Sequence, residues 1–178
     1  MATSIEFIQG DLTQVAADAI VNAANSQLMP GGGVDDAVHR AGGPSLQQEC
    51  RQIGGCPTGS AVATGAGRLP AKYVFHAVGP VYRGKEADVE ALASCHLRCL
   101  DLALEKGCRS IAFPAISTGA FGYPVAEASV IAVGSVHGWL LRHPQGLDRV
   151  IFVLFDSDTF NAYQAAHLKR LRSASRSS

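Results

Sequence analysis

The sequence is short of charge. Lys, Arg, Asp and Glu together make up 17% of its 178 residues, where an ordinary soluble domain carries about a quarter. The 15 bases and 15 acids cancel to zero net charge. A neutral chain lacks the basic face of a general electrostatic nucleic-acid binder. Only the basic end, Arg142 to Arg176, leaves room for a weak nucleic-acid contact. No apolar run approaches the ~18 residues of a membrane span, so no membrane is expected as a partner. The start, Met1-Ala2-Thr3-Ser4-Ile5-Glu6, has neither the basic nor the apolar segment of a signal peptide, which implies a cytoplasmic protein.

Paired metal-binding cysteines are missing as well. Cys50, Cys56, Cys95, Cys99 and Cys108 include no Cys-x-x-Cys. An odd count without a secretory signal argues against a disulfide framework. His96 between Cys95 and Cys99 reads either as part of a metal site or as a neighbour of small buried thiols. The spacing favours thiols and no metal. There is no Gly-x-Gly-x-x-Gly and no Gly-Lys-Ser/Thr phosphate loop, which argues against a nicotinamide dehydrogenase or an NTPase. No cofactor is expected.

Glycine, by contrast, is plentiful: 19 residues, about 11% against a typical ~7%. Hydrophobic residues reach 47%, enough for a substantial single core. Strand-like runs fall at 5–9, 19–22, 60–64, 73–78, 110–113 and 149–155. The last, Val-Ile-Phe-Val-Leu at its heart, is of the kind buried on both faces. Helical spacing predicts helices over 34–41, 44–53, 86–106 and 125–141, and a final one from an Asp156/Ser157 cap to about Leu171. The alternation predicts one α/β domain over 1–172 with a central sheet covered on both faces, followed by a flexible tail at 173–178.

Two stretches carry chemistry. Val21-Asn22-Ala23-Ala24-Asn25-Ser26 leads to Gly31-Gly32-Gly33-Val34-Asp35, and Pro114 to Pro124 holds Ser117-Thr118-Gly119-Ala120-Phe121-Gly122. Glycines let backbone N–H groups approach a ligand, and a helix start behind them adds positive partial charge, so phosphate is the natural guest. Such loops at the carboxyl ends of two strands could grip one diphosphate from both sides. Each residue also has a plainer reading. Asn22 and Asn25 read as turn or capping residues, Asp11 as a turn acid and Asp35 as a helix-start acid. His76 reads as a core histidine, His39 and Arg40 as solvated helix residues, and Tyr123 as structural.

Taken in register, Gly10-Asp11-Leu12-Thr13, Asn22-Ala23-Ala24-Asn25, Gly31-Gly32-Gly33-Val34-Asp35, His76-Ala77-Val78-Gly79-Pro80 and Ser117 to Pro124 resemble a macrodomain, more narrowly the MacroD-type ADP-ribosylhydrolases. The resemblance covers nearly the whole chain. It implies a three-layer α/β/α sandwich around a mixed, mostly parallel sheet of about six strands. It implies ADP-ribose as ligand, with an ADP-ribosylated protein or O-acetyl-ADP-ribose as substrate, acted on by a metal-independent monomer. Asp11 matches the acid that accepts from the adenine amino group, with the Leu12 backbone beside it. Gly31, Gly32, Gly33 and Val34, together with Ser117, Thr118, Gly119, Ala120 and Gly122, match the loops around diphosphate and distal ribose. Phe121 matches an aromatic beside that ribose, Phe155 and Asn161 fall on the adenine side, and Asn22 joins the binding set. Asn25 and Asp35 match the pair associated with hydrolysis: Asn25 would fix a ribose hydroxyl and Asp35 would orient the attacking water. The sequence departs from the pattern at Asp36, where the family usually has glycine.

Overall fold

The fold follows from how the apolar strands alternate their side chains. A computed structural model describes residues 2–177. It contains strands β1 (Ser4–Gln9), β2 (Ala19–Ala24), β3 (Ala61–Gly65), β4 (Tyr73–Val78), β5 (Ser110–Phe113) and β6 (Arg149–Leu154). The helices are α1 (Val34–Gly42), α2 (Pro44–Ile53), α3 (Glu86–Glu105), α4 (Val125–Arg142) and α5 (Ser157–Ser177). A short 3-10 turn, Leu12–Gln14, follows β1. The six strands form one sheet in the order β1-β6-β5-β2-β4-β3. Neighbours run parallel except β3, which pairs antiparallel with β4 at the edge.

Successive strand side chains point to opposite faces, and both faces are buried. Ala19, Val21, Phe75, Ile111, Phe113, Val150, Phe152 and Leu154 join α3, α4 and α5 in the larger core. Ile20, Val74, Ala112, Ile151 and Val153 join Val38 and Leu46 on the side of α1 and α2. The result is the expected three layers. On the larger side Phe152 packs between Phe7, Phe113 and Tyr163, with ring centroids 5.4, 5.7 and 5.6 Å away.

Two boundaries differ from expectation by more than one residue. β2 runs on to Ala24, because Ala23 and Ala24 pair with Ala77 and Val78 of β4. α5 continues through Ser177, taking in residues assigned to a tail, while Ser178 lies outside the described residues. Ser and Ala with interspersed Arg tolerate a helix, and the Ser173 hydroxyl donates to the Lys169 carbonyl at 3.1 Å one turn back. Asp156 caps the start as expected, its Oδ1 accepting from the Thr159 N–H at 2.8 Å. Among the described residues, no helix is long and apolar enough to cross a membrane.

Two fully buried histidines set an acid limit on this fold. Burial pushes His76 down to about 3 and His96 down to about 4. Both titrate lower when folded than unfolded, so protons favour the unfolded chain below about pH 6.5. Stability is complete above that pH and falls as pH drops from there towards the folded values, by up to ~1.4 kcal/mol per pH unit for each group. The melting temperature should therefore fall steeply between pH 7 and pH 5, which a pH series of thermal melts followed by Trp139 fluorescence will show.

Candidate functional site

The five parallel strands all end on one edge of the sheet, where open α/β sheets hold their ligands. Along that edge stand Asp11 after β1, Phe155 after β6, the 114–124 loop after β5, Asn25 and the glycine triplet after β2, and Gly79 after β4. Adjacent strands lie ~4.8 Å apart, so Asp11 and Asn25 mark the ends of a strip of about 14 Å. That strip is long enough for a nucleotide and a second sugar.

The centre of the site is Asp35 in the first turn of α1. It is 4% exposed. Its Oδ2 accepts from the Gly31 N–H at 2.5 Å and its Oδ1 from the Asn22 amide at 2.7 Å. The His39 Nε2 lies 3.4 Å from Oδ1, one helical turn on. Sequence reading left His39 solvated, but its side chain is 8% exposed. It belongs to the buried stripe that α1 turns to the sheet. Asn22 is not a turn residue. It lies in the middle of β2, fully buried, and acts on the site through Asp35.

Behind Asn22 stands His76, its register partner on β4. As expected, His76 is a buried histidine with its hydrogen bonds made. Nδ1 is 3.2 Å from the Asn22 amide nitrogen and Nε2 2.9 Å from the Thr64 hydroxyl. His39, Cys50 and His76 do offer metal-ligand atom types within 4.8 Å of one another. A thiophilic ion would need a thiolate and a bare imidazole lone pair. Here burial and the nearby Asp35 and Glu49 push the Cys50 thiol up to about 11, and both nitrogens of His76 are engaged. These residues suit a hydrogen-bonded core rather than a metal. Cys95 and Cys99 are buried thiols of α3, pushed upward by burial, and His96 Nδ1 sits 2.7 Å from the Leu92 carbonyl.

Asn25 follows β2 and organises its own loop. Its Nδ2 donates to the Met29 carbonyl at 2.8 Å and its Oδ1 accepts from the Met29 N–H at 3.2 Å. A second amide hydrogen and a second lone pair are left for a ligand. Gly31 stands between Asn25 and Asp35. A Cβ there would lie 3.4 Å from Asn25 Nδ2 and 3.5 Å from Asp35 Oδ2. Gly31, Gly32 and Gly33 are exposed, with Val34 half-buried behind them at the start of α1.

The facing loop is anchored from inside. Ser117 is buried at φ 68°, a conformation unusual for a non-glycine residue. Its hydroxyl donates to the Pro80 carbonyl at 2.8 Å. Thr118 donates to the Ala115 carbonyl, while Gly119, Ala120 and Gly122 are exposed and Phe121 is half-buried. The Phe121 carbonyl accepts from the Tyr82 N–H at 2.8 Å, which ties this loop to the one after β4. Tyr123 is buried against Tyr82, as the structural reading had it.

At the far end, Asp11 does cap a turn: Oδ1 accepts from the Thr13 N–H at 2.9 Å and its hydroxyl at 2.7 Å. The residue is exposed, so its second oxygen remains open to a donor. Leu12 is buried beside it, Phe155 is 84% exposed, and Asn161 is exposed on α5. Asp36 pairs with Arg40 at 2.8 Å on the outer face of α1, so the extra acid is matched by the lone base of this part of the chain.

The Macro domain family model matches residues 21–132. Over 169 residues the chain is 52% identical to the O-acetyl-ADP-ribose deacetylase of Citrobacter rodentium, covering 92% of this chain and 95% of that protein. Over 166 residues it is 48% identical to the ADP-ribose glycohydrolase MACROD2 of Xenopus laevis, covering 92% of this chain but 40% of that longer protein. A solved structure of the Oceanobacillus iheyensis macrodomain with ADP superposes with a TM-score of 0.91 at 36% identity, over 97% of this chain and 94% of that one.

Two glycines at the site differ in what they tolerate. A Cβ on Gly79 would fall within 2.6 Å of Ile116 Cγ2 and still nearer the Ser117 hydroxyl, whereas one on Gly32 would meet nothing within 4 Å. Gly79→Ala should lower stability by ~1–3 kcal/mol, and Gly32→Ala should change it by less than ~0.5 kcal/mol. Urea unfolding of the two variants beside the parent protein checks both.

Proposed function

The chain belongs to the macrodomain family, and we propose that it binds ADP-ribose and hydrolyses its esters: mono-ADP-ribose on Asp or Glu side chains of proteins, and O-acetyl-ADP-ribose. The observation that carries this is the junction of β2 and α1, where a buried carboxylate holds the glycine loop by the Gly31 N–H with Asn25 alongside. The relatives' names supply the chemistry, an ADP-ribose glycohydrolase and an O-acetyl-ADP-ribose deacetylase.

The adenine end lies over β1 and β6, with Asp11 accepting from the exocyclic amine beside the Leu12 backbone and Phe155 and Asn161 flanking the ring. The diphosphate lies between 31–34 and 117–122, held by backbone N–H groups and the start of α1. Asn25 fixes a hydroxyl of the distal ribose, and Phe121 packs beside that sugar. Asp35 keeps a lone pair on Oδ2 beyond the one used by Gly31. That lone pair orients a water towards the ester. Water adds its oxygen to the carbonyl carbon, the bond from that carbon to the ribose oxygen breaks, and the water's proton passes to the departing oxygen, giving the ribose hydroxyl and a free carboxylic acid. The step needs no metal and no cofactor. Most of the rate comes from positioning. The five buried, unpaired thiols suit the reducing cytoplasm, and a monomer suffices because each proposed contact comes from one chain.

Incubation with an Asp/Glu-modified protein should release ADP-ribose. Asn25→Ala and Asp35→Ala should each lower the release rate by ~10²-fold or more, read by chromatography of the freed nucleotide. Undiminished release by both would overturn the roles given to them, and binding without release by the parent would make the protein a reader.

Asp36 should matter little. Its charge is already paired with Arg40 on an exposed face, where such pairs and their fields are weak. Asp36→Gly should shift ADP-ribose affinity by less than ~3-fold, measured by calorimetric titration at low and physiological salt.

A further inference from the structure

The hydrogen bonds behind Asp35 have only one consistent set of directions. Asp35 Oδ1 can only accept, so the Asn22 atom at 2.7 Å is its amide nitrogen, a donor. The same nitrogen lies 3.2 Å from His76 Nδ1, so Nδ1 must accept and carries no hydrogen. On the other side of the ring, the Thr64 hydroxyl donates to the Gly65 carbonyl at 2.8 Å. It is therefore an acceptor for His76 Nε2, 2.9 Å away. Two independent neighbours thus demand the same tautomer, neutral with its hydrogen on Nε2.

We infer that His76 is a positioning residue for the proposed hydrolysis: by accepting the second hydrogen of the Asn22 amide it keeps that amide from swinging and so holds the Asp35 carboxylate and the Gly31 N–H in place. The inference rests on the functional reading above. The relay runs from Thr64 on β3 through His76 on β4 and Asn22 on β2 to Asp35 on α1 and the glycine loop. Without an acceptor at Nδ1, the second hydrogen of the Asn22 amide loses its partner, the amide is held by Asp35 alone and can swing, and the carboxylate shifts with it. Burial supports the assignment, since it holds His76 neutral down to about pH 3 and leaves the tautomer unchanged across the working range.

His76→Leu fills the space without an acceptor, and His76→Asn keeps an amide oxygen near the place of Nδ1. We expect kcat for ADP-ribose release to fall ~10- to 100-fold in His76→Leu with KM moved less than ~3-fold, and to return to within ~5-fold of the parent in His76→Asn. Equal activity of the two variants, or a loss confined to KM, would overturn the inference. If His76→Leu does not fold, Thr64→Val against Thr64→Ser tests the same relay, with the same split expected and equal behaviour overturning it. The Asn22 side-chain amide gives a readout independent of turnover. In 15N-labelled protein, identified by its loss in Asn22→Ala, its protons should exchange slowly in the parent and in His76→Asn, and fast in His76→Leu. A parent that binds ADP-ribose but releases none would overturn the hydrolase reading alone. Equal amide exchange in the two His76 variants would overturn the positioning role whatever the activity.

Discussion

A buried carboxylate is tolerated only where donors surround it. Asp35 has two, a backbone N–H from the loop and an amide from the middle of β2, and the His39 imidazole stands 3.4 Å away on the next turn of its own helix. The three come from different parts of the chain, so satisfying this one charge joins strand, helix and loop. Were Asn22 replaced by an apolar residue, Asp35 would lose its strongest interior donor. Were Gly31 given a side chain, the Cβ would press on Asp35 and Asn25 together. The exposed glycine loop therefore owes its shape to a contact inside the protein.

That arrangement also explains how a protein of zero net charge could hold the diphosphate proposed for this site. The segment carrying the loop has six acids and one base, and that base, Arg40, is taken by Asp36 on the outer face of α1. In the proposed site, oriented peptide groups thus take the place of lysine and arginine clamps. Oriented peptides need the chain itself to come close, which glycine permits. They also need the chain held still, which Asp35 does on one side of the cleft and Ser117 with Gly79 on the other. Surplus glycine and missing cations are two aspects of one way of binding an anion.

The sheet was legible because its strands are apolar on both faces, as Arg149–Leu154 illustrates. The site loops were legible from their glycines and from family resemblance. What one chain's pattern could not convey was direction. Asn22 occurs in an Asn-rich stretch that reads as a turn, yet β2 extends through it and the pairing with β4 buries it. His39 lies between Val38 and Arg40 in a helix of mixed character, and only the approach of α1 to the sheet turns it inward. A usable sign was present nonetheless. Asn22 and His76 are polar residues set within apolar strand runs, and a polar side chain buried there must find a partner.

The partner that each polar residue found decides what the site can do. Asp35 spends one oxygen on Asn22 and half of the other on Gly31, which leaves one lone pair for the water of the proposed hydrolysis. Asn25 spends half of its amide on Met29 and keeps the rest free for the sugar of the proposed ligand. Catalysis by such groups depends on where they stand more than on how they titrate. The network beneath them is consistent with that demand, because His76 is neutral and its tautomer is dictated by Asn22 on one side and Thr64 on the other. A site built in this way is sensitive to the packing and hydrogen bonding of the sheet under it, and on the proposed reading the residues that tune its rate extend into the sheet beneath those that would touch the ligand.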